Sequence, residues 1–276
     1  MKLGICSLAS GSSGNCYLVK SAKTAVLVDA GISARQIKQK LATLGMGLDD
    51  ISAVLITHEH SDHIKSLPVL CKGAGFKLIA SEGTLNAIKD VCAYQKQSFN
   101  PVDWGGETQC FCPGDSFQIG DIEIRSYPLS HDAAQPAGYM FSREGASIAI
   151  VTDTGVMTDE ILGRICGCDL FVLESNHDES MLRVGPYPWF LKQRILSDRG
   201  HLSNEAAAKA LVNILQAENA ERGRTVLLAH LSKENNFPQM ALATVNNILE
   251  QEGFEPGRSA EIYTLSREEI SPMYTV

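Results

Sequence analysis

The stretch Thr57-His58-Glu59-His60-Ser61-Asp62-His63 sets the three imidazoles and the Asp62 carboxylate of an H-x-H-x-D-H pattern within six positions at the end of an apolar run. Neutral imidazole and ionised carboxylate are donors for zinc, iron or manganese. Four such groups on a single ion would leave it no open coordination position. Two metal ions are therefore expected. The competing reading, an ordinary polar loop, is a poor one when three of the chain's seven histidines fall in one cluster.

Outward from this stretch, short apolar runs alternate with helical patterns. Thr24–Val28, Ala53–Ile56, Ile122–Tyr127, Ser147–Thr152, Leu170–Leu173 and Thr225–Ala229 are β-branched or aliphatic runs of strand length. Ser33–Leu44, Asp159–Ile165, Asn204–Ala217 and Gln239–Gln251 read as helices. In the third, Ser203 is a candidate N-cap, and Ala206, Ala207, Ala210, Leu211 and Ile214 share one face. The class is α/β, and strands this apolar imply sheets covered by helices. No linker rich in Pro, Gly and Ser interrupts the pattern, so a single domain over 1–276 is expected.

Nearly every apolar run ends near an acid or a histidine. Asp29 follows Val28, His58 comes just after Ile56, and His131 lies four positions beyond Tyr127. Asp153 follows Thr152, Glu174 follows Leu173 and His230 follows Ala229. A single Asp after a strand is usually a turn former. Six strand ends treated alike point to one shared polar site at the end of the sheet strands.

The 24 Lys and Arg against 32 Asp and Glu give a net charge of −8, which argues against a surface basic all over. Locally the balance reverses: residues 181–200 carry Arg183, Lys192, Arg194 and Arg199 against Asp198 alone. An apolar share of 44% suits a globular chain with an ample core. Without a leader pattern or a long apolar span, a cytoplasmic protein with no membrane partner is expected. Its eight cysteines should then be reduced. Cys110-x-Cys112 and Cys166-x-Cys168 could supply thiolates to zinc, but the spacing is unusual and no histidine is near either pair.

The order Asp29, His58-x-His60-x-Asp62-His63, His131, Asp153, His230 resembles the five motifs of the metallo-β-lactamase superfamily. The resemblance implies an αββα sandwich, four layers deep, with a dinuclear site at the open edge of its sheets. It implies that His58, His60 and His131 hold one metal and Asp62, His63 and His230 the other. Asp153 would bridge them, and Asp29 would orient a ligand histidine. Asp169-Leu-Phe-Val-Leu-Glu174-Ser, Gly200-His201-Leu-Ser203-Asn-Glu-Ala-Ala and Leu-Leu-Ala-His230-Leu-Ser look like segments of ribonuclease Z. There a Glu and a His handle leaving-group protons, roles that Glu174 and His201 would fill here.

Two departures narrow the reading. The 21 residues between His131 and Asp153 leave no room for the long arm of many ribonuclease Z proteins. The 76 between Asp153 and His230 are too few for the cap domain of ribonuclease J. Closer still is the WalJ/YycJ family, which has a similar segment to Ser7-Leu-Ala-Ser-Gly-Ser-Ser-Gly-Asn-Cys16 and to Glu174-Ser-Asn-His177-Asp178. The implied activity is hydrolysis of DNA from its 5′ end.

In that chemistry, paired zinc, manganese or iron ions generate a hydroxide and clamp the phosphoryl oxygens, while Asp62 helps orient the water. His201, polarised by Glu174, gives a proton to the leaving oxygen. Ser10, Ser12, Ser13 and Asn15 are candidates for a terminal phosphate, although a strand-to-strand turn explains that run equally well. His177 is a further phosphate candidate. Arg183, Lys192, Arg194 and Trp189 could form a nucleic-acid surface, with the alternative that the aromatics plug the core. The rival enzymes on this scaffold are a small-molecule phosphodiesterase and a thioester hydrolase. From another class, the rival is a non-catalytic metal-binding regulator.

Overall fold

Val26, Leu27 and Val28 have no solvent exposure, so the run that precedes Asp29 is buried on both faces, as the interior strand of a covered sheet must be. The computed structural model describes residues 3–217 and 223–276. The chain divides into two compact units. The first comprises Met1–Pro128, Ala133–Gly145 and Ser266–Val276; the second comprises Leu129–Asp132 and Ala146–Leu265. Neither is a contiguous half of the chain.

In the first unit a seven-stranded sheet begins at the short strand Tyr274–Thr275. It continues through β1 (Gly4–Ala9), β2 (Cys16–Lys20), β3 (Ala25–Val28), β4 (Ala53–Leu55), β5 (Lys77–Ser81) and β6 (Thr108–Phe111). β1, β2 and β3 form an antiparallel meander, and β3 to β6 run parallel. Parallel neighbours need crossover connections, supplied here by α1 (Ala34–Thr43), α2 (Ser61–Ile64), α3 (Leu67–Leu70) and α4 (Glu82–Tyr94). Ser33 caps α1 in a reciprocal box: Gln36 N donates to its hydroxyl at 3.3 Å and its own N–H donates to Gln36 Oε1 at 3.1 Å.

Ile37 and Leu41 of α1 join Leu18, Leu27, Val54 and Leu78 of the sheet in one core. Each such side chain removed from water stabilises the fold by about 1.5–3 kcal/mol. A further antiparallel ladder, β7 (Ser116–Ile119), β8 (Ile122–Pro128) and β9 (Ala137–Arg143), belongs to the same unit. On β8, Ile122 and Ile124 are buried while Arg125 is exposed, the alternation of a sheet wet on one side.

The second unit holds the parallel strands β10 (Ala146–Val151), β11 (Leu170–Glu174), β12 (Arg224–Ala229) and β13 (Ala260–Thr264). Its helices are α5 (Asp159–Ile165), α6 (Glu179–Val184), α7 (Trp189–Ile195), α8 (Asn204–Ala217) and α9 (Pro238–Gln251). Ser203 accepts from Ala206 N at 3.1 Å at the start of α8. The sequence pattern matches α5 at both ends and α8 at its start. α9 begins one residue earlier than expected because Pro238, with its φ already helical, is suited to the first turn. No helix among the described residues is long and apolar enough to cross a membrane.

Candidate metal centre

Besides Glu144 in the turn after β9, three strand-end residues leave their sheets in left-handed backbone conformation: Asp29 with φ 62°, Asp153 with φ 62° and His230 with φ 55°. For a residue with a Cβ this costs about 1–2 kcal/mol, and backbone strain of this kind clusters at functional sites. All three are residues that the sequence pattern singles out. Each reverses the chain abruptly and sets its side chain among other polar groups.

In the first unit, buried Asp29 accepts from Thr57 N at 2.8 Å through Oδ1 and from His63 Nδ1 at 2.7 Å through Oδ2. Burial pushes the Asp29 carboxyl above the ordinary range, against the opposing pull of His63 and Thr57. The hydrogen bond places the His63 proton on Nδ1, so Nε2 carries the lone pair. That nitrogen lies 3.4 Å from Asp62 Oδ2. The rings of His58 and His60 have centroids 4.5 Å apart, and those of His58 and His63 4.0 Å. His58, His60, Asp62 and His63 are thus brought together around the short α2. Glu59, buried between them in sequence, accepts from Ala134 N at 2.7 Å and ties this loop to the segment that follows β8.

In the second unit, donor atoms of Asp153, Glu174, His201 and His230 all lie within 4.8 Å of one another. Glu174, wholly buried at the end of β11, accepts through one oxygen from His201 Nδ1 at 2.7 Å and His230 Nδ1 at 3.0 Å. Its other oxygen accepts from Thr154 N at 2.9 Å. Burial raises this carboxyl, but the charges and hydrogen bonds of His201 and His230 outweigh it and hold Glu174 well below the usual carboxylate range. Asp153 Oδ1 lies 3.4 Å from His230 Nδ1 and 3.7 Å from His201 Nδ1. His131 donates from Nδ1 to the Gly200 carbonyl at 2.9 Å, and the Arg199 guanidinium donates to the His131 carbonyl at 3.1 Å.

These donor sets fit divalent metal ions. His63, His131 and His230 each commit Nδ1 to an oxygen acceptor, which leaves Nε2 as the basic nitrogen, the usual arrangement of a metal-binding imidazole. Among the described residues, no cysteine joins a group of three or more such donors. Cys110 and Cys112 are exposed, and the carbonyls of Cys166 and Cys168 accept from the buried Arg224.

An asparagine network behind the second cluster gave little sequence signal, because Asn beside Ser reads as a turn or cap. Asn176 Nδ2 donates to the His230 carbonyl at 2.9 Å. Asn204 Oδ1 accepts from Ser175 Oγ at 2.6 Å and from Asn236 Nδ2 at 2.8 Å. The network holds the turns after β11 and β12 against the start of α8.

The candidates for substrate contact separate into two groups. Ser10 shares a hydrogen bond with Tyr17 at 2.9 Å, and Asn15 accepts from Gly11 N at 2.9 Å, whereas Ser12 and Ser13 are exposed. The run joins β1 to β2. Lys192 is buried, its ammonium donating to the Arg183 and Gly185 carbonyls at 2.7 Å each. Arg183 pairs with Glu179 at 3.2 Å and Arg194 with Asp132 at 3.0 Å. Trp189 and Phe190 are 65% and 72% exposed, so the aromatic pair at the start of α7 faces solvent.

His177 is buried, and neither of its ring nitrogens has a hydrogen-bond partner. Its backbone carbonyl accepts from Asn204 N at 2.9 Å. Burial pushes its pKa down to about 4, below the unfolded value of about 6.5. The unfolded chain therefore binds more protons between these values, and stability rises with pH across that window. The neutral ring's contribution is intact above pH 6.5 and is lost as the pH falls towards 4. In the metal-free protein, the stability difference between wild type and His177→Gln should change by about 2 kcal/mol from pH 7 to pH 5. Denaturant titrations at both pH values measure it, and a constant difference would show that the ring is not held neutral.

A family model described as the beta-lactamase superfamily domain matches residues 24–230, from the start of β3 to His230. The metallo-β-lactamase fold protein YhfI from Bacillus subtilis aligns with a TM-score of 0.70 and 15% identity, covering 98% of this chain and 100% of that one. The class is thus an α/β protein of the metallo-β-lactamase fold, the αββα architecture implied by the motifs. Exodeoxyribonuclease WalJ of Streptococcus pneumoniae serotype 2 is 42% identical over 238 residues, 86% of this chain and 85% of that protein. Exodeoxyribonuclease YycJ of Bacillus anthracis is 41% identical over 239 residues, 87% and 86% of the two chains. The protein belongs to the WalJ/YycJ family within the superfamily, and it is a metal-dependent hydrolase.

Proposed function

We propose that the protein is a metal-dependent exodeoxyribonuclease that degrades DNA from its 5′ end in the cytoplasm. The observation that carries this reading is the 2.7 Å hydrogen bond between His201 and Glu174, next to Asp153 and His230. A merely metal-binding scaffold has no need of such a proton-handling pair. The 42% and 41% identities to two exodeoxyribonucleases support the same substrate class.

In this reading the protein acts as one catalytic domain. His58, His60 and His131 would hold one divalent ion, Asp62, His63 and His230 would hold a second, and Asp153 would serve both; zinc, manganese and iron all suit this donor set. When bound, the ions activate water and offset negative charge on the phosphoryl oxygens. Asp62 additionally orients the attacking water. Asp29 keeps His63 in the Nδ1–H tautomer. Glu174 holds His201 through Nδ1 and stabilises its imidazolium, so that Nε2–H is free to protonate the departing sugar oxygen. Breaking a phosphodiester releases a poor leaving group, and this proton is what makes its departure feasible. The exposed Ser12 and Ser13, together with the neutral His177, recognise the terminal phosphate, while Trp189, Arg183 and Arg194 meet the strand.

Metal-loaded protein should degrade 5′-phosphorylated DNA faster than 5′-hydroxyl DNA and faster than RNA. End-labelled single- and double-stranded substrates, followed by the release of labelled mononucleotide, measure this. Release from the 3′ end, or equal rates on both 5′ termini, would overturn the polarity. Hydrolysis of thioesters or small phosphodiesters without DNA cleavage would overturn the nuclease reading.

A further inference from the structure

We infer that the Ser10–Asn15 loop is a latch for the metal-binding helix α2, with Asn15 as the positioning residue that holds Asp62 and His63 in register for an ion. The inference rests on the reading of Asp62 and His63 as metal ligands. Asn15 is wholly buried, and its amide has a determined orientation. Gly11 N donates to Oδ1 at 2.9 Å, so that atom must be the oxygen, and the NH₂ group is the one directed at α2. There Nδ2 lies 3.3 Å from Asp62 Oδ2 and 3.1 Å from His63 Nε2. Since Asp29 holds the proton of His63 on Nδ1, Nε2 accepts from Asn15. An ion on Nε2 would displace the second of these contacts, so the bond to Asp62 is the one that would persist in the loaded site.

The backbone reinforces this contact. Asn15 N donates to the Asp62 carbonyl at 2.8 Å, Gly31 N donates to the Asn15 carbonyl at 2.8 Å, and Ala30 N donates to the His63 carbonyl at 2.7 Å. A Cβ at Gly31 would stand 1.6 Å from the Asp62 carbonyl oxygen, and one at Gly14 2.7 Å from the Gly31 carbonyl oxygen. Three segments approach so closely that only glycine fits between them. Close packing of backbone, rather than room for a phosphate, accounts for Gly14 and Gly31. The latch lets the carboxylate and imidazole stay near each other without an ion, when they would otherwise take up other rotamers.

The test is the metal affinity of Asn15→Ala, measured by titrating zinc into apoprotein against a competing chelator. Hydrogen-bonding partners of metal ligands typically contribute about 10–100-fold to affinity. One bound equivalent should weaken by that factor while the other keeps its wild-type affinity. The spectrum of cobalt-substituted protein should change at the same equivalent. Should Asn15→Ala fail to fold, Asn15→Ser carries the same expectation, since its hydroxyl can still meet Gly11 N–H but offers no NH₂. Wild-type affinity at both equivalents, even with a lower apoprotein melting temperature, would overturn the inference by reducing the loop to a structural turn. Unchanged metal binding with a raised KM for 5′-phosphorylated DNA would overturn it in favour of phosphate contact. A wild-type protein that binds no divalent ion would overturn the metal reading beneath it as well.

Discussion

His201→Ala should lower turnover on DNA by about 10²–10⁴-fold, the usual contribution of general acid–base catalysis, while metal content and fold are retained. His201 is partly exposed, with 15% of its side-chain surface accessible, and its Nδ1 bonds the Glu174 carboxylate at 2.7 Å. Truncation therefore leaves Glu174 its bonds to His230 and Thr154. What is lost is the group that delivers a proton to the leaving oxygen. With an activated aryl phosphodiester, whose phenolate departs unprotonated, the defect should shrink strongly. Steady-state kinetics on both substrates, alongside elemental analysis, decides the matter. Loss of metal would make His201 a ligand, and a wild-type rate on DNA would make the Glu174–His201 pair a structural contact.

His60→Ala should abolish both metal binding and hydrolysis. His60 is the N-cap residue of α2, yet its side chain makes no capping hydrogen bond there. Alanine consequently removes an imidazole donor with little intrinsic cost to the helix. Wild-type protein should hold two ions per chain under saturating zinc or manganese, and the variant fewer, with activity reduced to background. Elemental analysis and a DNA-release assay on the same preparations test this. One ion in fully active wild type would overturn the two-metal mechanism, and an active His60→Ala protein would remove His60 from the ligand set.

The class of the fold was legible because its central strands are fully buried. Val26–Val28 and Leu170–Leu173 have no polar positions to blur their length, so β3 and β11 stand out. Shorter or mixed segments did not. β6 is Thr108-Gln-Cys-Phe111 with only Phe111 buried, and α2 and α3 are four residues each, too brief for a helical period to register. α4 alternates Gly83, Thr84 and Asn86 with its apolar residues, which hides the buried stripe of Leu85, Ile88 and Cys92. At the site, acids and histidines at strand ends were visible as chemistry. The partners that orient them were not: Asn15, Thr57, Asn176 and Asn204 act through hydrogen bonds between residues far apart in the chain. Lys192 illustrates the converse, since a charge read as surface is spent on two backbone carbonyls.

The left-handed corners at Asp29, Asp153 and His230 put durability and reactivity in direct competition at named positions. Glycine or asparagine adopts that backbone more readily than histidine does, so selection for heat resistance alone would be drawn to these sites. A variant improved in that way would survive longer while losing the groups that do chemistry. Laboratory evolution of this chain therefore needs a catalytic screen at every round, or it will drift towards a sturdier molecule that no longer turns over substrate.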